Sequence, residues 1–219
     1  MFKYNVLILS LFLFALTLVD KTYAYFINDF PLVNKVIYID PGHGGVDPGA
    51  IYKDMKESDI NLNFSYKIGE KLEELGATVY YTRTGDYDLS STKNGRKKSD
   101  LSNRVKLIND SKSDLYLSIH VNSESTGKWY GPQVFYTLKN DNNEKLAKKL
   151  QKALINSKIS KRNYSIIDDT YMYDMVSIPG VLIEVGFLSN YGDRLNLKDE
   201  KYVENFSRVI VKSIVDYFY

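Results

Sequence analysis

Only two histidines occur in the 219 residues of this chain, and both stand where an apolar run ends. His43 lies in "IYIDPGHGG", Ile37 to Gly45, and His120 lies in "LYLSIHVNS". A third apolar run, "VLIE", closes on Glu184, and Glu57 opens a helical pattern shortly after His43. Cysteine is absent, so a metal site would have to be built from His, Asp and Glu. His43, Glu57 and His120 together form a His2Glu donor set, the type found in catalytic zinc sites whose fourth position stays open to water. Zinc in such a site lowers the pKa of water towards about 7 and polarises a carbonyl. An acidic side chain beside it can take the water's proton and pass it to a leaving nitrogen. Glu184 suits that role, because the rest of its strand (Val181, Leu182, Ile183, Val185) is apolar. Two plainer readings stand beside these: Glu57 as a first-turn acid favoured by the helix dipole, and Glu184 as the buried partner of an arginine such as Arg83 or Arg104.

The elements that must position these residues alternate along the chain. "KVIYID" (Lys35–Asp40), "ATVYYTR", "DLYLSIHV", "GPQVFYTL" and "PGVLIEVGFLSN" read as strands, β-branched or continuously apolar. Between them, "SDINLNFSYKIGEKLEELG", "LSNRVKLINDS" (Leu101–Ser111) and "NDNNEKLAKKLQKALINS" carry helical spacing, and "DEKYVENFSRVIVKSIVDYFY" is a terminal amphipathic helix. Ser58 is the expected N-cap of the first helix and Gly76 its close. The alternation predicts an α/β fold: a single three-layer domain with a mostly parallel sheet flanked by helices. In such sheets ligands bind at the carboxyl ends of the strands, where His43, His120 and Glu184 all fall. Gly42, Gly44 and Gly45 are expected to supply positive φ and close backbone approach, projecting the imidazole. "GHGGVDPG" matches neither common phosphate-loop pattern, and no lysine follows where a P-loop needs one. The polar stretch "GDYDLSSTKNGRKKSD" (Gly85–Asp100) is the one long loop, and the single tryptophan, Trp129, sits in a polar, glycine-flanked loop.

Composition narrows the classes further. The apolar fraction is 44% and the charged fraction 26%, as in a globular protein. A net charge of +2 argues against nucleic acid as a partner. Residues 1–24 read as a signal peptide or N-terminal membrane anchor, with Lys3 ahead of the apolar run Val6 to Val19 and Ala24 at a cleavage position. Residues 25–34 then form a connector, and 35–219 the catalytic domain.

Several blocks occur in a recognisable order: "IYIDPGHGGVDPGA", the helix start at Glu57, "YYTRTGD", "LSNRVKLIND", "DLYLSIHVNS" and "VLIEVGFLSN". In this the chain resembles the zinc-dependent N-acetylmuramoyl-L-alanine amidases of the amidase-3 family. The resemblance implies a six-stranded sheet and zinc (Zn2+) held by His43, Glu57 and His120. It implies Glu184 as the catalytic glutamate and hydrolysis of the amide between N-acetylmuramic acid and L-alanine in peptidoglycan. One departure is Ser58, where the family commonly has lysine, a change expected to alter surface charge alone. "SESTGKWYGPQVFY" and "KNGRKKSDLSNR" resemble the germination-specific spore-cortex subgroup (CwlD type). That likeness implies a role in muramic-δ-lactam formation, export to the forespore intermembrane space or cell wall, and a lipoprotein partner in some spore-formers. The alternatives are a zinc peptidase cutting within stem peptides and a catalytically silent peptidoglycan-binding module.

Overall fold

The computed structural model describes residues 14–19, 29–167 and 171–219. Most of the expected leader lies outside them; residues 14–19 are helical (α1) with exposed side chains. Among the described residues no helix is long and apolar enough to cross a membrane.

Six strands form one sheet: β4 (Thr78–Tyr81), β1 (Val36–Pro41), β5 (Leu115–Asn122), β8 (Gly180–Phe187), β6 (Gln133–Tyr136) and β7 (Ser165–Ile166), in that order. The first four run parallel. β6 pairs antiparallel with β8, and β7 runs parallel to β6. The single three-layer α/β domain is as the sequence predicts. Two short strands, β2 (Ile51–Tyr52) and β3 (Met55–Lys56), form a separate hairpin between His43 and Glu57.

Period-two patterning sends alternate residues to opposite faces of the sheet. Ile37, Ile39, Leu117, Ile119, Val181 and Ile183 meet one layer: α2 (Glu57–Glu74), α4 (Asp141–Asn156) and α7 (Glu200–Phe218). The other face buries Tyr38, Tyr116 and Leu182 under α3 (Arg96–Asp110) and α5 (Tyr171–Met175). A short α6 (Tyr191–Lys198) packs between β8 and α7.

Two local expectations are corrected and one is met. Ser58 does not cap α2: the cap position is Lys56, which makes no side-chain capping bond, and Ser58 lies buried in the first turn. Gly76, with φ 89°, does follow the helix end. α3 begins at Arg96, five residues before the apolar pattern starts, so the long loop is shorter than its polar sequence suggests.

The layer over the second face is locked by charge. Asp40 is fully buried at the end of β1 and accepts hydrogen bonds from Arg104 Nη1 (2.7 Å), Thr82 Oγ1 (2.6 Å) and Ser118 Oγ (2.8 Å). Burial alone pushes this carboxyl up, but the Arg104 charge and the three bonds outweigh it and hold Asp40 below its ordinary 3.8. Removing one member of such a pair strands the other charge. Arg104→Met should therefore destabilise the fold by about 3–5 kcal/mol in urea melts. Because Asp40 is depressed in the folded state, the pair's stabilisation is complete at neutral pH and is lost as pH falls past the usual carboxylate range. The stability gap between wild type and Arg104→Met should narrow in acid.

Candidate metal centre and catalytic carboxylate

Strand β1 ends at Pro41, and the chain turns through Gly42 and His43. His43 adopts φ 62°, a left-handed conformation uncommon outside glycine, and Gly44 follows at φ 125°. The turn is held by its carbonyls. Arg83 donates to Pro41 O (Nε, 2.9 Å) and to Gly42 O (Nη2, 2.9 Å), while Arg104 donates to Pro41 O (2.8 Å) and His43 O (2.7 Å). Asn61 on α2 adds a second donor to Gly42 O at 3.1 Å. Gly42 is required for space: a Cβ there would stand 2.2 Å from Cε1 and Nε2 of His120. The expected task of the three glycines is thus divided, since left-handed φ falls on His43, Gly44 and Gly45 while Gly42 admits the second histidine.

The three expected donors converge. His43 Nε2 lies 3.1 Å and His120 Nδ1 2.9 Å from the same oxygen, Glu57 Oε1, and the donor atoms of the trio all fall within 4.8 Å. Donors about 2.0–2.2 Å from a tetrahedral ion stand roughly 3.3 Å apart, so the trio fits a single divalent cation. The shell around it is also built. Asp47 Oδ2 sits 2.9 Å from His43 Nδ1, leaving Nε2 for the centre. Glu57 Oε2 accepts from Ala50 N (2.9 Å) and Oε1 from Val121 N (3.2 Å), which fixes the carboxylate plane.

Electrostatics at this point ask for positive charge. Burial pushes the His43 pKa down, but the bond to Glu57, its charge and the contact with Asp47 outweigh that and raise it to about 9. Glu57 is pulled the opposite way: burial raises it, and the two imidazoles carry it far below the usual carboxylate range. The plain first-turn reading of Glu57 is therefore insufficient, since its carboxylate points at both rings.

Glu184 stands beside the trio, laterally paired with His120 across β5 and β8. Neither Arg83 nor Arg104 binds it, for both are spent on the 41–43 turn and Asp40. Its Oε2 is buried without a hydrogen-bond partner among the described residues. Burial first and the Glu57 charge second push its pKa up, against the lowering effect of His43, to about 8. A carboxyl that ionises near neutrality can both accept and release a proton.

Sequence reading missed Asp47 and the structural task of Asp40. The signal for Asp40 was available, because it too is a carboxylate closing an apolar strand. Ser58 is also reassessed: it is 1% exposed, and its carbonyl accepts from Arg83 at 2.8 Å, so the departure from the family pattern is in the interior and not a surface charge change. A cavity of about 640 Å³ runs from His43 and His120 along α3 to Arg96, Lys97 and Tyr173, large enough for an extended ligand.

An open trio of cation donors beside a buried carboxyl, at the carboxyl edge of the parallel strands, is an arrangement suited to hydrolysis. Relatives narrow the class. The family model described as N-acetylmuramoyl-L-alanine amidase matches residues 37–216. The germination-specific N-acetylmuramoyl-L-alanine amidase of Bacillus subtilis (strain 168) is 44% identical over 193 residues, covering 86% of this chain and 81% of its own length. The probable cell wall amidase LytH of Staphylococcus aureus is 34% identical over 198 residues, covering 86% of this chain and 60% of its own. The solved structure of the CwlD amidase from Clostridioides difficile, in complex with the GerS lipoprotein, has a TM-score of 0.80 at 36% identity, covering 84% of this chain and 98% of that one. This chain belongs to the N-acetylmuramoyl-L-alanine amidase family, enzymes that hydrolyse the amide bond between N-acetylmuramic acid and L-alanine.

The space requirement at Gly42 is testable. Gly42→Ala should displace the His120 ring and weaken divalent-ion binding by about 10–100-fold, as disturbed supporting contacts do. Metal titration of the purified protein reads this directly; unchanged affinity would contradict the role given to Gly42.

Proposed function

We propose that the amidase works with zinc held by His43, Glu57 and His120, and that Glu184 serves first as general base and then as general acid. The observation that carries this reading is the buried, partnerless Oε2 of Glu184 next to a trio of donors that fits one cation. A zinc ion there would polarise the substrate carbonyl and make water acidic enough to attack at neutral pH. The chain's own residues do the rest. Asp47 keeps the His43 tautomer, and the two arginines keep the turn rigid. Glu184 takes a proton from the attacking water on its buried Oε2 and delivers it to the departing L-alanine nitrogen.

The substrate we propose is peptidoglycan of the spore cortex, where removal of stem peptides prepares muramic acid for δ-lactam formation. Support comes from the 44% identity to a relative named for germination. Residues 1–24 act, in this reading, as a signal peptide or membrane anchor that takes the catalytic domain (35–219) out of the cytoplasm, towards the forespore intermembrane space or cell wall. The apolar run Val6 to Val19 behind Lys3 supports it. A lipoprotein partner is proposed on the ground that the Clostridioides difficile relative was solved bound to one.

Chelation should abolish peptide release from cortex peptidoglycan, and added zinc should restore it. Mass spectrometry of the products should find muramic acid with a free lactyl carboxylate; cleavage inside the stem peptide would mark a peptidase instead, and glycan binding with no release in added zinc a silent module. Glu184→Gln should retain the metal while losing about 10²–10⁴-fold in kcat. Wild-type turnover in that variant would remove Glu184 from the mechanism.

A further inference from the structure

The candidate catalytic row does not stop at Glu184. His120, Glu184 and Gln133 are successive lateral partners on β5, β8 and β6, so their side chains rise side by side from one face of the sheet. Gln133 Oε1 accepts a 2.7 Å bond from Arg162 Nε, and Gln133 Nε2 donates to Asn163 O at 2.8 Å. The row therefore runs from one cavity, walled by His120, to a second of about 500 Å³ walled by Arg162, Trp129, Tyr130, Lys128, Lys161 and Thr126. Glu184 lies between the two.

The second cavity has a definite chemistry. Three cations line it and no carboxylate does. The Arg162 guanidinium lies over two rings, 4.9 Å from the Trp129 centroid and 5.0 Å from that of Phe187. Its Nε is used by Gln133, but its two terminal nitrogens have no partner among the described residues. Asp193, whose charge acts on Arg162, already accepts from Gly131 N and Phe187 N at 2.8 Å each and forms no ion pair with it. Trp129 is 58% exposed although its loop is tied down: Asn190 Nδ2 donates to Gly127 O at 2.9 Å, and Asp193 holds Gly131. A stacked, oriented guanidinium with its fork free matches a carboxylate.

The amidase substrate decides which carboxylate. In the intact substrate the lactyl group is tied up in the amide, so the sugar side of the scissile bond is neutral and the free carboxylates belong to the peptide. The guanidinium lies one strand spacing and one hydrogen bond beyond Glu184, roughly 8 Å away. Extended peptide advances about 3.5 Å per residue, so it meets the second or third residue after the scissile bond.

We propose that Arg162, packed over Trp129 and Phe187, is the subsite for a stem-peptide carboxylate two or three residues beyond the scissile amide, making it a specificity-determining residue of this amidase. The inference rests on Glu184 marking the scissile bond. The test uses Trp129, the chain's only tryptophan, as its reporter. Titrating the full chain with a tripeptide of stem sequence should change Trp129 emission, and the same peptide with its carboxylates amidated should bind about tenfold or more weakly. Arg162→Gln should erase that difference, Arg162→Lys should restore part of it, and wild-type KM should rise on the amidated substrate with little change in kcat. Equal binding of both peptides by wild type, or an equal response to peptide-free disaccharide, would overturn the subsite. The wild-type comparison stands even if the substituted proteins fold poorly. The titration does not need cleavage, so its failure is separable from failure of the Glu184 assignment, which full activity in Glu184→Gln would reveal.

Discussion

Three carbonyls at the end of β1 set the terms for the rest of this molecule. Once the chain leaves the sheet at Pro41, the carbonyls of residues 41–43 lie in the interior without strand partners, and a buried carbonyl left alone costs about 1–3 kcal/mol. Arg83 and Arg104, each 1% exposed, donate to all three. Two buried cations need compensation in turn. Asp40 and Asp100 supply it for Arg104 by direct pairing, whereas Arg83 hydrogen-bonds carbonyls and feels Asp40, Asp86 and Asp59 only at a distance, so burial together with Arg104 lowers its pKa. What emerges is a rigid turn that can hold His43 in a left-handed conformation, a strain of order 1–3 kcal/mol that only surrounding structure can maintain.

From that turn the site follows by charge and by room. The β2–β3 hairpin returns the chain so that Glu57 enters α2 beneath the His43 ring, and the missing side chain at Gly42 lets His120 approach from the neighbouring strand. Both imidazoles converge on one carboxylate oxygen, a centre that could hold a metal ion. Glu184 is held next to this centre without any arginine of its own. The same carboxylate type thus carries opposite tendencies within one row: Glu57 strongly acidic among imidazoles, Glu184 weakly acidic against apolar walls. The row continues through Gln133 to Arg162, so the proposed chemical step and the proposed peptide contact share one strip of sheet.

Much of the architecture is legible in local patterning. The parallel strands and the long helices α2, α4 and α7 announce themselves through continuous apolar runs and helical spacing. The start of α3 does not, because "RKKSD" has no apolar face to reveal a period; its first turns are held by charge, Arg96 with Asp88 and Arg104 with Asp100. The two-residue strands of the hairpin and β7 are too short to carry a period at all. Ser58 misleads for a related reason: a serine before a helical run suggests a cap, but the pull of Glu57 towards the histidines winds the first turn earlier.

The four residues expected to do the chemistry could be chosen from the sequence alone. Scarcity of histidine, absence of cysteine and carboxylates at the ends of apolar runs leave few candidates, and a chain's composition and order are complete in its sequence. Tertiary structure alone decided that His43 and His120 share one oxygen of Glu57, that Arg83 and Arg104 serve the turn and not Glu184, and that Gln133 and Arg162 extend the row. Those relations depend on lateral register between strands and on contacts up to 64 positions apart. Local periodicity says which face a residue takes, but only packing of the whole sheet determines which residue stands beside it.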